Sequence, residues 1–296
     1  MKTLLNSLPM LLAALIWGTA FVAQRQGAAF IDAFTFNSIR NILGALVLIP
    51  VALLINRRGT LAQLATRRGR RDMLAGGLVC GVVLAVASLF QQMGLGETSA
   101  GKAGFITTLY ILIVPLLGLC LGRRPPWVLW LGVALGVAGL FLLCVKEGFA
   151  LSHGDALVLR CAFTFSLHIM LIDYFVRRVD ALLLSMAQFV VCGLASLVPL
   201  AFGAASLPTL GALAACKWQI LYMAVFSTGG AYTLQTVAQK RLDAGVAALI
   251  MSLESVFAAF SGWLILNETL TGRELLGCIL VFAATIVAQL RRRGTK

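Results

Sequence analysis

The chain has 296 residues, 60% of them hydrophobic and only 12% charged, with a net charge of +13. Ordinary soluble domains carry about 25% charged residues, so this composition excludes a typical soluble enzyme and points to an all-α polytopic membrane protein. The positive charge does not indicate nucleic acid as a partner, because the bases sit in short patches between apolar runs without interleaved aromatics to stack on nucleobases.

Ten apolar segments follow one another, over residues 5–23, 34–55, 73–93, 101–121, 127–145, 155–175, 182–202, 218–238, 245–266 and 275–290. Each is long enough to cross a hydrocarbon core about 30 Å thick, whereas a β-barrel would show short alternating segments. The first, MKTLLNSLPMLLAALIWGTAFVAQ, also fits the pattern of a cleaved signal peptide. Its removal leaves an odd number of spans and a poorer charge balance, so it is read as a retained span. It carries Trp17, too deep for an interfacial belt, and the second span carries Arg40. The longest connection, NRRGTLAQLATRRGRRD at 56–72, is too small for a soluble domain and is read as a loop. Gln91 closes the third span, Tyr110 lies in the fourth, Arg160 and His168 in the sixth, Gln235 in the eighth and Glu254 in the ninth. Seven cysteines lie mostly inside apolar runs without a C-x-x-C pair, so neither a metal site nor a disulfide framework is implied.

With the N-terminus in the cytoplasm, seventeen lysines and arginines fall on cytoplasmic ends and five on the opposite side. The positive-inside rule then places both termini in the cytoplasm.

The halves of the chain resemble each other. SAGKAGFITTLYILIVPLLG at 99–118 aligns with DAGVAALIMSLESVFAAFSG at 243–262 under a constant shift of 144, which also pairs Gln91 with Gln235. Residues 5–145 and 155–290 thus form two units of five spans, and an odd number turns the second over in the membrane. Inverted repeats of this kind are typical of secondary transporters, with the binding site near the midplane where the repeats meet.

The pattern of WG in the first span, TSAGKAGFIT, AYTLQTVAQKR, and the ninth-span sequence AGVAALIMSLESVFAAFSGWLILNE resembles the EamA group of the drug/metabolite transporter superfamily. The resemblance covers nearly the whole chain. It implies ten helices in two inverted five-helix repeats, cytoplasmic termini, export of amino acids and related metabolites, and a central site lined by the first, third, fourth, sixth, eighth and ninth spans. Many members have proline directly after the ninth-span glutamate, where this chain has Ser255.

Glu254 lies about nine residues into its span, roughly 13 Å from the cytoplasmic end, and its counterpart under the 144 shift is Tyr110. A carboxylate there is costly unless it faces the bundle or a wet cavity. It can contact a substrate ammonium, carry a proton or gate, or it can act as a structural acceptor between helices. Arg40 and Arg160 can each hold a substrate carboxylate through a two-pronged hydrogen bond, or instead pair with Glu254 or cap helix carbonyls. His168 is read as a titrating group or a helix linker, Trp17 as an aromatic wall or core, and Gln91 and Gln235 as gate or glue. Asp173 stands four residues before Arg177, the spacing of a helix ion pair.

A membrane enzyme would need a cluster of acid, base or metal ligands, which the pattern lacks, and a receptor or scaffold lacks a partner surface. The sequence therefore reads as an inner-membrane exporter of amino acids and related small amphipathic metabolites working by alternating access. Uniport and proton-linked antiport both fit; without a G-x-x-x-x-G-K-[ST] motif, direct use of ATP is excluded and no cofactor is expected. The alternative is efflux of lipophilic cationic drugs, for which Glu254 and the aromatics would suit. The expected partners are a small-molecule substrate and the lipid bilayer, with the oligomeric state open.

Overall fold

Every described element is helical. The computed structural model describes residues 2–55, 57–98, 100–145, 152–202, 207–266 and 270–290. Lys146, Arg291, Arg292, Arg293 and Lys296, which enter the charge balance above, lie outside the described residues. In chain order the helices are α1 (Lys2–Gly27), α2 (Ala33–Ile55), α3 (Arg57–Ala65), α4 (Arg67–Glu97), α5 (Ala100–Thr108), α6 (Tyr110–Cys120), α7 (Trp127–Cys144), α8 (His153–Phe175) and α9 (Ala181–Ala201). They continue with α10 (Leu210–Ala215), α11 (Lys217–Tyr222), a π-helical stretch (Met223–Tyr232), α12 (Thr233–Gln239), α13 (Ala244–Met251), α14 (Leu253–Leu266) and α15 (Gly272–Leu290).

The helix starts follow from local chemistry. Asp32 Oδ1 accepts the amides of Phe34 and Thr35 to open α2, and Asp180 does the same for Leu182 and Leu183 at α9. Ser152 and Asp155 form a reciprocal capping box at α8, and Thr271 with Glu274 forms another at α15. Such caps satisfy amides that have no partner inside the helix.

Eight helical segments among the described residues are long and apolar enough to cross a membrane by length and composition. The segment expected over 218–238 is instead three pieces, because the backbone widens into the π-helical stretch MAVFSTGGAY. Gly229 and Gly230 ease that departure from α geometry. The expected loop over 56–72 is also corrected: residues 57–72 are α3 and the start of α4, whose first turn is capped by Thr66 Oγ1 accepting from Gly69 N–H at 3.0 Å. The arginines there therefore extend a 31-residue helix beyond its apolar part.

The two halves interleave. The most extensive contacts join α7 to α15, α4 to both α8 and α9, α2 to α9, and α1 to α14. The α7–α15 contact is backbone to backbone: a Cβ on Gly277 would stand 2.6 Å from Gly139 O, and one on Gly139 would stand 2.8 Å from Gly277 O. Gly18 does the same for α1, where a Cβ would meet Glu254 O at 2.7 Å and Ala258 N at 2.8 Å. Small residues allow this approach, which in a bilayer replaces the hydrophobic drive as the source of helix association.

Candidate functional site

Two helix pairs break near the middle of the bundle. α5 passes into α6 at Leu109, and α13 passes into α14 at Ser252. Each break has a hydroxyl bonded back into the preceding turn. Thr108 Oγ1 donates to Gly104 O at 2.6 Å, and Ser252 Oγ donates to Leu249 O at 2.8 Å. Hydroxyl back-bonding of this kind bends helices, and at the second break serine, Ser255, follows Glu254.

Tyr110 opens α6 and Glu254 stands in the first turn of α14. Each lies ten residues from the start of its helix pair, about 15 Å along the axis and so about half of a 30 Å core. The residues related by the 144 shift meet there: Tyr110 Oη donates to Glu254 Oε1 at 2.9 Å, with both side chains buried. Gly104 has only Ser255 Oγ near the place of a Cβ, at 3.9 Å, so it leaves room beside the carboxylate.

This pair lines a cavity of about 40 Å³ whose wall also includes Trp17, Gln24, Arg40, Gln91, His168, Tyr232 and Gln235. Of the sequence candidates, seven therefore share one cavity: Trp17, Arg40, Gln91, Tyr110, His168, Gln235 and Glu254. Arg160 does not join them. On α8 the wall residues are Phe165, His168 and Ile169, whereas Arg160 is exposed beside the exposed Leu159 and Phe163. Membership of a span does not fix facing, and Arg160 lies on the opposite stripe, near enough to the helix start for its long side chain to reach the interface. The second span, absent from the expected lining, contributes Arg40.

Arg40 is held from behind. Its Nε–H donates to Asn37 Oδ1 at 3.0 Å, Asn41 Nδ2 donates to the same oxygen at 3.1 Å, and Asn37 Nδ2 donates to Ser196 Oγ on α9 at 2.8 Å. This network fixes a buried guanidinium whose head lines the cavity. Sequence reasoning passed over Asn37 and Asn41, although Asn37 stands three residues before Arg40 and four before Asn41, the two spacings that meet on one helix face.

Tyr232, also passed over, is the aromatic hub. Its ring lies edge-on to Trp17 at 4.9 Å, to Phe189 at 5.9 Å and to His168 at 6.1 Å. The signal available was its place three residues before Gln235, one turn along the same helix. His168 Nε2 pairs with Gln188 Oε1 at 2.9 Å. Neither His168 Nδ1 nor either amide atom of Gln235 has a hydrogen-bond partner among the described residues. Buried polar atoms without partners are rare, and here they border a cavity that can hold polar solute or water.

A second cavity of about 460 Å³ opens where α6 ends and α13 begins, lined by Val114, Gly118, Arg123, Arg124, Met170 and Val246 among others. Val114 is one turn from Tyr110, and Met170 adjoins Ile169 of the central wall, so about one helical turn separates the two spaces. At its rim Arg123 Nη1 donates to Asp173 Oδ2 at 2.7 Å, and Arg177 Nη2 donates to Asp173 Oδ1 at 3.2 Å. The expected i, i+4 pair is thus present, running from Asp173 in the last turn of α8 to Arg177 just beyond its end, with Arg123 added from the α6–α7 connection.

An all-helical bundle of apolar segments around a buried polar cavity defines a multi-pass membrane transporter. The family model described as "EamA-like transporter family" matches the chain twice, over residues 6–145 and 152–289, and the chain belongs to that family. It is 27% identical to a protein named uncharacterized transporter from Archaeoglobus fulgidus, over 98% of this chain and 87% of that protein. It is 22% identical to uncharacterized transporter YoaV of Bacillus subtilis, over 90% of each. A shorter match, 38% identical, covers 26% of this chain and 27% of threonine/homoserine exporter RhtA of Salmonella typhimurium. Among solved structures, one titled "Crystal structure of protein" shares the fold with a TM-score of 0.77 at 19% identity, over 98% of this chain and 99% of its own.

Proposed function

We propose that the protein exports amino acids and related small amphipathic metabolites across a bacterial inner membrane by alternating access. In this reading residues 5–145 and 155–290 are inverted five-helix repeats, ten spans in all, with both termini in the cytoplasm. The observation that carries the substrate class is a fixed guanidinium and a carboxylate, Arg40 and Glu254, in the wall of one central cavity. A zwitterionic amino acid offers the complement of both, a carboxylate for Arg40 and an ammonium for Glu254. The aromatic group of Trp17, Tyr232 and Phe165 gives its side chain an apolar wall. The name of RhtA, which matches a quarter of the chain, agrees with this class. A lipophilic cation would meet the buried positive charge of Arg40, which disfavours the alternative substrate.

A cavity of about 40 Å³ holds roughly three waters, at about 10–15 Å³ each on this measure. An amino acid needs more, so the helices must part to admit it. The breaks at Leu109 and Ser252 stand beside the pair that would move. Glu254 can exchange its substrate contact for a proton, and this gives either uniport or proton-linked antiport.

Counterflow tests the reading. Liposomes holding the protein and unlabelled threonine, homoserine or phenylalanine are diluted into the labelled compound, with and without a proton gradient. Transient uptake of at least one amino acid above empty liposomes is the expected result, and a rate that follows the proton gradient assigns antiport. Uptake of a lipophilic cation alone would overturn the substrate class.

A further inference from the structure

Far from the central cavity, a polar pocket of about 320 Å³ lies between the α3–α4 corner and the turn joining α8 to α9, lined by Gln63, Thr66, Arg68, Asp72, Arg177 and Arg178. Its walls are fixed. Gln63 Nε2 donates to Arg178 O at 3.2 Å, while Gln63 Oε1 accepts from Asp180 N at 2.7 Å, clamping α3 to the turn. At the corner a Cβ on Gly69 would come within 2.2 Å of Gln63 O, and Arg70 Nη1 donates to Leu64 O at 3.1 Å. Thr66 already caps the start of α4, so the helix end is not the anchor.

Three guanidinium groups and one carboxylate remain around the space, an excess of two positive charges. Arg68 is 91% exposed and its only ion pair among the described residues is a 3.9 Å approach to Asp72. Arg177 reaches Asp173 through two nitrogens, Nη2 to Oδ1 at 3.2 Å and Nε to the backbone oxygen at 3.3 Å, and its Nη1 has neither contact. Arg178 stands 3.8 Å over the ring of Tyr174. Planar guanidinium forks converging from two elements suit the oxygens of a phosphate ester.

The level of the pocket selects the source of that phosphate. On another face of α4 from Arg68 and Asp72, Leu74 and Leu78 are 64% and 57% exposed and mark the level at which the apolar surface begins. Arg68 precedes Leu74 by about 9 Å along the axis, which is headgroup depth above an acyl-chain surface. Tyr174, half exposed beneath Arg178, is an aromatic of the interfacial kind.

We infer that this pocket binds the phosphate of an anionic phospholipid headgroup, with the acyl chains entering the bilayer below it. An occupant bridging Arg68 to Arg177 and Arg178 ties the α3–α4 corner to the α8–α9 turn, elements from opposite halves of the chain. No residue of the central cavity takes part, so the site stands whether or not the substrate class above is right.

The test uses the full chain in neutral detergent, titrated with phosphatidylglycerol, phosphatidylcholine and glycerol 3-phosphate and read by native mass spectrometry. Saturable binding of one phosphatidylglycerol, preferred over phosphatidylcholine, is expected. Arg68→Gln with Arg178→Gln weakens it about thirtyfold, from about 1 kcal/mol per arginine at 1.4 kcal/mol per decade. Arg67→Gln with Arg71→Gln removes the same charge outside the pocket and weakens it less than about fivefold. Gln63→Leu keeps every charge and also weakens binding, because the clamp is lost. Each variant is first checked for a monodisperse elution profile. Equal losses in the two double variants, or unchanged binding in Gln63→Leu, would replace the pocket by diffuse surface charge and overturn the inference. Glycerol 3-phosphate bound as tightly as the lipid would make the ligand a soluble ester and overturn the membrane source.

Discussion

The hydrogen bond between Tyr110 and Glu254 lends itself to a double-mutant cycle. Tyr110→Phe removes the donor and leaves the carboxyl group without it, Glu254→Leu removes the acceptor and leaves the phenol without it, and the double variant strands neither. At 2.9 Å, with relative exposures of 2% and 6%, water cannot readily replace either partner. A hydrogen bond to a charged group contributes about 1.5–3 kcal/mol, and pairs measured between membrane helices reach about 1.7 kcal/mol. The expected coupling is therefore about 1–2 kcal/mol, with the double variant less destabilised than the two single variants taken together. The assay is reversible unfolding of the purified protein in mixed micelles, followed by circular dichroism. Additivity within about 0.5 kcal/mol would refute the reasoning, because independent sites add to that precision.

Three further outcomes are expected. Arg40→Gln should slow amino-acid transport at least tenfold by removing a charged contact worth about 1.5–3 kcal/mol, while Arg160→Gln, on the exposed stripe, should stay within about twofold; labelled efflux from liposomes compares them. Gly277→Val should destabilise by about 1–3 kcal/mol or more, because the new Cβ meets backbone atoms Gly139 O at 2.6 Å and Leu143 N at 2.7 Å, and a thermal unfolding scan reads the loss. Asp173→Asn should cost about 1–2 kcal/mol, less than a fully buried pair, since Arg123 and Arg177 are 46% and 59% exposed and recover water; the same unfolding assay checks it.

Hydropathy made the apolar segments legible because bilayer thickness imposes both length and composition. The shift of 144 between the halves singled out Tyr110 and Glu254 together, and these two side chains are bonded in the structure. Facing was harder. A lone arginine in a span reads the same whether its stripe meets cavity or lipid, and so Arg40 and Arg160 looked alike until packing separated them. The arginines at 67–71 read as a loop, because charge masks a helix that leaves the hydrocarbon without ending. The π-helical stretch had only its two adjacent glycines to announce it. Asn37, Asn41 and Tyr232 were visible as polar or aromatic residues within spans, but their roles depend on partners from distant segments that no local pattern supplies.

The most direct test of the central claim is efflux of labelled threonine, homoserine or phenylalanine from liposomes carrying wild-type protein, Glu254→Gln or Arg160→Gln, with no ion gradient imposed and then with a proton gradient. The account predicts efflux in wild type and in Arg160→Gln, and its loss in a correctly folded Glu254→Gln protein. Efflux retained by Glu254→Gln would reduce the carboxylate to a packing role, and no efflux of any of the three compounds under either condition would contradict amino-acid export.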